Sequence, residues 1–295
     1  MDKNRRHRNR YSYGLAMPGL ILFAVFFILP SVIGLFISLF QMYGFNFSSA
    51  RFGGLTNYIN IVVGDDTRKA LYNTFTFAIV TTVFKMLFGL LLAVALNKKL
   101  FMTNALRTIF FLPAVINTVA VGLIFSSMMH PTKGLINRAL SCIRLDALCQ
   151  NWLTNPKIAI FSICSIEVWK WSGFTMVILL TGMQNISMDY YESAQLDGAS
   201  EWQKFRFITF PLLLPAINNA LILSIIGGLK VFDVVQATTQ GGPGSSTEVF
   251  GSLIYKSFGT GRFAEGCAAS ILLAVIIGII VLPTYRFIAD KEVEQ

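Results

Sequence analysis

Charge is what this sequence has least of. Only 13% of its 295 residues are Asp, Glu, Lys or Arg, while 54% are apolar; soluble domains carry about 25% charged residues. A chain this long with so little charge belongs in a bilayer. Histidine and cysteine are equally sparse, with two and four copies. His7 lies in a basic stub and His130 at the end of an apolar run, so neither stands beside a nucleophile it could serve as base. No metal-ligand spacing occurs, and no Gly-Lys-Ser/Thr follows a glycine cluster, so the chain has no phosphate loop. Cys164 and Cys267 fall in apolar segments, where cysteine acts as a small hydrophobe. Cys142 and Cys149 share one loop and can close a small disulfide if that loop faces an oxidising compartment; the sequence leaves that open. Period-2 alternation is also missing, which disfavours a membrane barrel.

What is present is six apolar segments, each long enough to cross a hydrocarbon core, which takes about 20 helical residues. They run approximately over 15–40, 71–96, 109–129, 158–183, 212–235 and 267–288. The expected fold is an all-α polytopic membrane protein. It has a basic cytoplasmic N-terminus (1–14), a six-helix domain (15–288) and a short cytoplasmic tail (289–295). The first segment is too long for a signal-peptide core and lacks a small-residue cleavage site, so it is expected to stay as an anchor. Pro18, Pro30, Pro113 and Pro283 are read as lying at or near span ends, where freed backbone groups are easier to satisfy. The net charge of +9 does not point to nucleic acid, because Lys3, Arg5, Arg6, Arg8 and Arg10 crowd one end as a topology signal. With the N-terminus inside, lysine and arginine concentrate modestly in the inner segments, and both termini are cytoplasmic.

Three lysines fall inside spans: Lys85, Lys170 and Lys230. Each costs about 2.5–3.5 kcal/mol at mid-bilayer, so each should face protein or water. Lys230 with Asp233, and Glu167 with Lys170, stand three apart and can pair on one helix face. Trp169 and Trp171 flank Lys170. Two readings stay open: charge pairs that assemble a bundle, or the lining of a polar path whose tryptophans offer flat surfaces to a sugar. The outer stretch TTQGGPGSSTE (238–248) is first of all a turn.

The longest polar passage between apolar segments is ESAQLDGASEWQKFRFITFPLLLP, residues 192–215. Asp189 with Glu192 can cap one helix, Gly198 ends it, and Ser200 with Gln203 forms a capping box for the next. Pro211 and Pro215 close the passage. Its small face of Ser193, Ala194, Gly198 and Ala199 would let another surface approach. A solvated loop is the plain alternative.

This elbow resembles the EAA loop of bacterial ABC-importer membrane subunits. The matching residues are Glu192-Ser193-Ala194, Gly198, and Ile208-Thr209-Phe210-Pro211, with Ser193 and Phe210 in place of the usual alanine and leucine. Asp197-Gly198-Ala199 and Pro215 are similar to the carbohydrate-uptake branch, the maltose and glycerol-phosphate permease group. Gly54-Leu55-Thr56-Asn57-Tyr58, Asn73-Thr74, Trp169 to Gly173, and Phe232-Asp233 ahead of Thr239-x-Gly-Gly-Pro243 also match that branch.

The resemblance implies a multi-pass protein of the bacterial cytoplasmic membrane, with a cytoplasmic coupling helix between the fourth and fifth spans (loop 187–211). It implies a second permease chain, two ATPase subunits that carry the ATP and Mg, and an extracytoplasmic solute-binding protein. No cofactor, enzymatic activity or nucleic acid is expected of this chain, and lipid surrounds it. The implied coupling residues are Glu192, Ala194, Asp197, Gly198 and Ala199. Trp169, Lys230 and Asp233 are the first candidates for the solute path, with Glu167, Asn117 and Asn218 behind them. The competing class is a stand-alone secondary transporter or channel coupled through the span charges, although no internal repeat of the kind such carriers often have is visible.

Overall fold

The computed structural model describes residues 16–44, 50–98 and 102–289. The basic stub, Lys99, and the tail from residue 290 lie outside the described residues. Two compact units emerge, residues up to 62 with 256–272, and 63–255 with 273 onward.

In the first unit, helix α1 (Met17–Ser38) is apolar throughout. Pro30 sits inside this helix rather than near its end, and a π-turn over Ala24–Ile28 precedes it. Such a local widening lets a helix pass a residue that has no N–H. The ribbon β1 (Phe40–Gln41) and β2 (Arg51–Phe52) pairs antiparallel. Helix α2 (Thr56–Val63) follows. Asn57 explains part of the Gly-Leu-Thr-Asn-Tyr signature. Its buried side chain donates to the carbonyls of Ser38 and Phe40, both at 2.7 Å, while Tyr58 meets Ser38 Oγ at 2.7 Å. Together they tie off the open end of α1.

The second unit holds the helices from residue 63 to 255 and the end of the last one, whose first part, residues 263–272, belongs to the first unit. Helix α3 (Asp65–Asn97) is followed by α4 (Thr103–Val115), α5 (Thr118–Met128) and α6 (Leu135–Cys142). Then come α7 (Ala159–Gln184), α8 (Met188–Leu196), α9 (Glu201–Leu212) and α10 (Leu214–Leu229). The chain closes with α11 (Asp233–Thr238), α12 (Phe250–Gly259) and α13 (Phe263–Ala289); Pro283 lies within α13. Helix α3 packs along α7, α10 lies against both, α4 against α7, and α5 against α11. One core gathers Phe77, Val121, Ile163, Ile166, Val235 and Val249. A second gathers Leu96, Met176, Leu179, Met183 and Leu213. With no water to drive association in lipid, small residues set how closely helices approach. At Gly173 of α7 an added Cβ would overlap the backbone of Phe110 in α4.

Two of the six expected spans are not single rods. The third is α4 plus α5, bent by 94° at Ile116 and Asn117. The fifth, expected over 212–235, is interrupted at 230–232 between α10 and α11; α10 also pairs with α9 ahead of it through a 65° bend near Leu213, where Pro215 has no N–H to offer the preceding turn. Four helices are long and apolar enough to cross alone, and the count reaches six if each bent pair is one span.

Candidate functional site

The elbow is a built joint. Ser187, not Asp189 or Glu192, caps α8: its Oγ accepts from the Asp189 N–H and donates to Asp189 Oδ2. A short hydroxyl at the capping position reaches the free N–H groups more directly than side chains inside the first turn. At the other end Gly198 takes φ +76°. Its N–H donates to Gln195 O at 3.1 Å, and the Ala199 N–H to Ala194 O at 2.9 Å. That is a Schellman closure, for which the left-handed glycine is the enabling residue. The Ser200–Gln203 capping box forms as expected, with the Ser200 N–H donating to Gln203 Oε1 at 2.7 Å. Lys204 pairs with Glu201 at 2.6 Å. Tyr191 Oη meets Thr209 Oγ1 at 2.9 Å and pins α8 to the start of the fifth span.

Glu192 and Asp197 are exposed on this joint, Ala194 and Ala199 half-buried. Leu196, at the end of α8, is 90% exposed, and Trp202 is 66% exposed. Sequence reasoning passed over both. The signal was there, in large apolar residues within a polar passage, and such side chains left bare on an otherwise polar tip mark a contact surface.

The second candidate is a polar cavity of about 440 Å³ between α3, α5, α7, α10 and α11. Lys85, Glu167, Lys230 and Asp233 line it, as do Trp171 and Thr118. Two expected charge pairs are replaced here. Glu167 faces Lys85 across the α3–α7 contact, Oε1 to Nζ 4.0 Å, rather than Lys170. Lys170 instead donates to the Ala114 carbonyl at 3.3 Å and stands over the Trp171 ring, 4.5 Å from its centroid. A cation there complements the negative end of α4, where that span breaks. Lys230 and Asp233 do not share a helix face, because α10 ends at Leu229 and α11 begins at Asp233. No ion pair joins them.

The other path candidates scatter. Trp169 is 46% exposed, packs on Phe125 and lines a separate apolar cleft with Phe84, Leu112 and Phe161. Asn117 caps α5, accepting from the Val119 and Ala120 N–H groups. Asn218 is buried in α10. Glu167, Lys230 and Asp233 are thus the path candidates that reach the cavity; Lys85 joins them, and of the two tryptophans beside Lys170 it is Trp171, not the favoured Trp169, that lines it. Cys142 and Cys149 are both free thiols, so no disulfide joins them. The Cys149 thiol turns to Asn137 O and Ser141 Oγ, both at 3.5 Å. Among the described residues no cluster of His, Cys, Asp and Glu could hold a metal ion.

Residues 85–289 match the family described as binding-protein-dependent transport system inner membrane component. The chain is 34% identical over 298 residues to the trehalose/maltose transport system permease protein MalF of Thermococcus litoralis, covering 98% of this chain and 100% of that one. It is 33% identical over 280 residues to the lactose transport system permease protein LacF of Rhizobium radiobacter, covering 93% and 92%. Among solved structures, a chain of a bacterial ABC transporter involved in the import of the acidic polysaccharide alginate matches with TM-score 0.82 at 27% identity, over 94% of both chains. A chain of the bacterial alginate transporter in complex with an alginate pentasaccharide-bound periplasmic protein matches with TM-score 0.80 at 28% identity, over 93% and 92%.

Proposed function

We propose that this chain, which belongs to the family of binding-protein-dependent transport system inner membrane components, forms one half of the path of an ATP-driven sugar importer. An extracytoplasmic binding protein delivers the solute, a second permease chain completes the path, and two separate ATPase subunits bind the ATP and Mg. The chain crosses the bacterial cytoplasmic membrane six times, each bent pair counting as one span, with both termini and the elbow inside. Supporting the sugar assignment are relatives that carry trehalose, maltose and lactose along essentially the full length of this chain.

The observation that carries the coupling role is the bare apolar tip of the elbow, Leu196 and Trp202. In the proposed assembly these side chains enter a cleft of the ATPase, with Glu192 and Asp197 at the polar rim. The Gly198 closure and the Tyr191–Thr209 bond make α8 and the fifth span one lever. When the ATPase pair closes, that lever tilts α9 and α10 at their 65° bend and alters access to the polar cavity.

The test is purification in mild detergent with the neighbouring transport subunits co-expressed, followed by uptake in proteoliposomes. Retained ATPase and strictly ATP-dependent sugar uptake are expected. An isolated chain that carries solute on an ion gradient after ATP depletion would establish the secondary-transporter reading instead.

A further inference from the structure

We propose that Lys85 and Glu167 are a hydroxyl-gripping pair that selects a neutral, polyhydroxylated solute inside the cavity. The proposal rests on the sugar-import reading and names the chemistry of its solute. The two side chains are 4% and 9% exposed, yet Nζ and Oε1 stand 4.0 Å apart. A direct charge-assisted bond would be about 2.7–2.9 Å. Among the described residues neither group makes another hydrogen bond or ion pair. Lysine has three protons to donate and the carboxylate two oxygens that accept. Burying such a pair is offset only when further hydrogen bonds meet that capacity, and both residues line the cavity, where a solute can supply them.

The geometry suits a hydroxyl. One oxygen placed about 2.8 Å from each group accepts from Nζ and donates to Oε1 at nearly a right angle, both bonds of ordinary length. A second hydroxyl on the neighbouring carbon can then reach either remaining site. Charge points the same way. The lining groups Lys85 and Lys230 are balanced by Glu167 and Asp233, while Lys170 is not part of the lining and donates to Ala114 O beside the Trp171 ring. An anion therefore gains no net attraction from the lining groups and meets two carboxylates. A neutral glycan finds donors, acceptors, the hydroxyls of Thr118 and Ser224, and the flat faces of Trp171 and Phe174. Neutrality separates this chain from the structural neighbour described for an acidic polysaccharide.

The test uses the whole complex in proteoliposomes with its binding protein. The probes are trehalose, maltose and lactose, their monodeoxy analogues, and an oligouronate. Wild type should carry a neutral sugar in preference to the oligouronate. Glu167→Gln and Lys85→Met should lower uptake per ATP hydrolysed by about tenfold, the worth of one hydrogen bond to a charged group. They should also shrink the preference for parent sugar over its deoxy analogue, measured with the same binding protein so that its own selectivity cancels. Glu167→Asp keeps the charge and shortens the reach; it should alter that preference even if the other variants fail to assemble. An unchanged preference in every variant that assembles overturns the proposal, as does uptake of the oligouronate over every neutral probe. If the complex carries none of these glycans, it is the sugar-import reading that fails.

Discussion

Replacing Gly198 by alanine should uncouple this subunit without unfolding it. The residue sits at φ +76°, and a Cβ placed there would meet nothing within 4 Å. No clash arises, and what remains is the cost of a left-handed backbone, about 1–2 kcal/mol for an L-residue. A domain stable by about 5–15 kcal/mol survives that loss. The turn itself does not, because α8 is only nine residues long and helices under about 12 residues do not hold their shape alone. The same 1–2 kcal/mol shifts a local equilibrium by about 5–30-fold, enough to break the relay from α8 into α9. Asparagine tolerates the left-handed region far better, which separates two causes. If coupling needs only the turn, Gly198→Asn works almost normally and Gly198→Ala does not. If an ATPase surface closes directly on the glycine, both fail, and so does Gly198→Asp. The assay is binding-protein-stimulated ATP hydrolysis and uptake in proteoliposomes, with subunit composition by size exclusion as the assembly control. Wild-type hydrolysis and uptake by Gly198→Ala and Gly198→Asp would refute the coupling role.

Leu196→Ala should leave chain stability within about 0.5 kcal/mol, as expected of an exposed site, yet weaken ATPase retention by about tenfold or more, since burying a leucine is worth about 1.5–3 kcal/mol; pull-down at graded detergent checks it. Gly173→Ala drives a methyl into the Phe110 backbone, so a loss of about 1–3 kcal/mol and a lower melting temperature in detergent are expected. Gly278→Ala, where the Cβ meets nothing within 4 Å, serves as its neutral control. Lys170→Met removes the donor to Ala114 O; a charged hydrogen bond of this kind is worth about 1.5–3 kcal/mol, and thermal unfolding should report it, with Lys170→Arg retaining part of the stability.

Local grammar in the sequence predicted the elbow well, because capping boxes and glycine stops act within a few residues. Ser200–Gln203 and Gly198 form as read. The span charges were misread for an energetic reason. An i,i+3 pair is worth only about 0.2–0.5 kcal/mol, whereas a buried lysine that finds a carbonyl gains about 1.5–3 kcal/mol. Lys170 therefore goes to Ala114 on α4 and Glu167 is left to Lys85 on α3, partners more than fifty residues away that no spacing rule can name. Trp169 and Trp171 illustrate the same limit. Two residues on a helix are about 200° apart, so only one of them can face the cavity, and which one depends on where α10 and α11 pack.

The break between α4 and α5 and the gap between α10 and α11, both invisible to a hydropathy window, belong to the same feature as the cavity. Interrupting a helix at membrane depth frees N–H and C=O groups that lipid cannot satisfy, so such breaks persist only where protein or water meets them. Thr118 stands at the break between α4 and α5; Lys230, Phe232 and Asp233 form the break between α10 and α11; and all four line the cavity. The α4–α5 break is held from both sides: Lys170 donates to the Ala114 carbonyl near the end of α4, and Asn117 accepts from the first N–H groups of α5. The polar groups that make the cavity fit for a hydroxylated solute are in part the ones that unbroken helices would have hidden. A lever that tilts α10 acts on the rim of that cavity directly, since Lys230 is the residue that ends this helix.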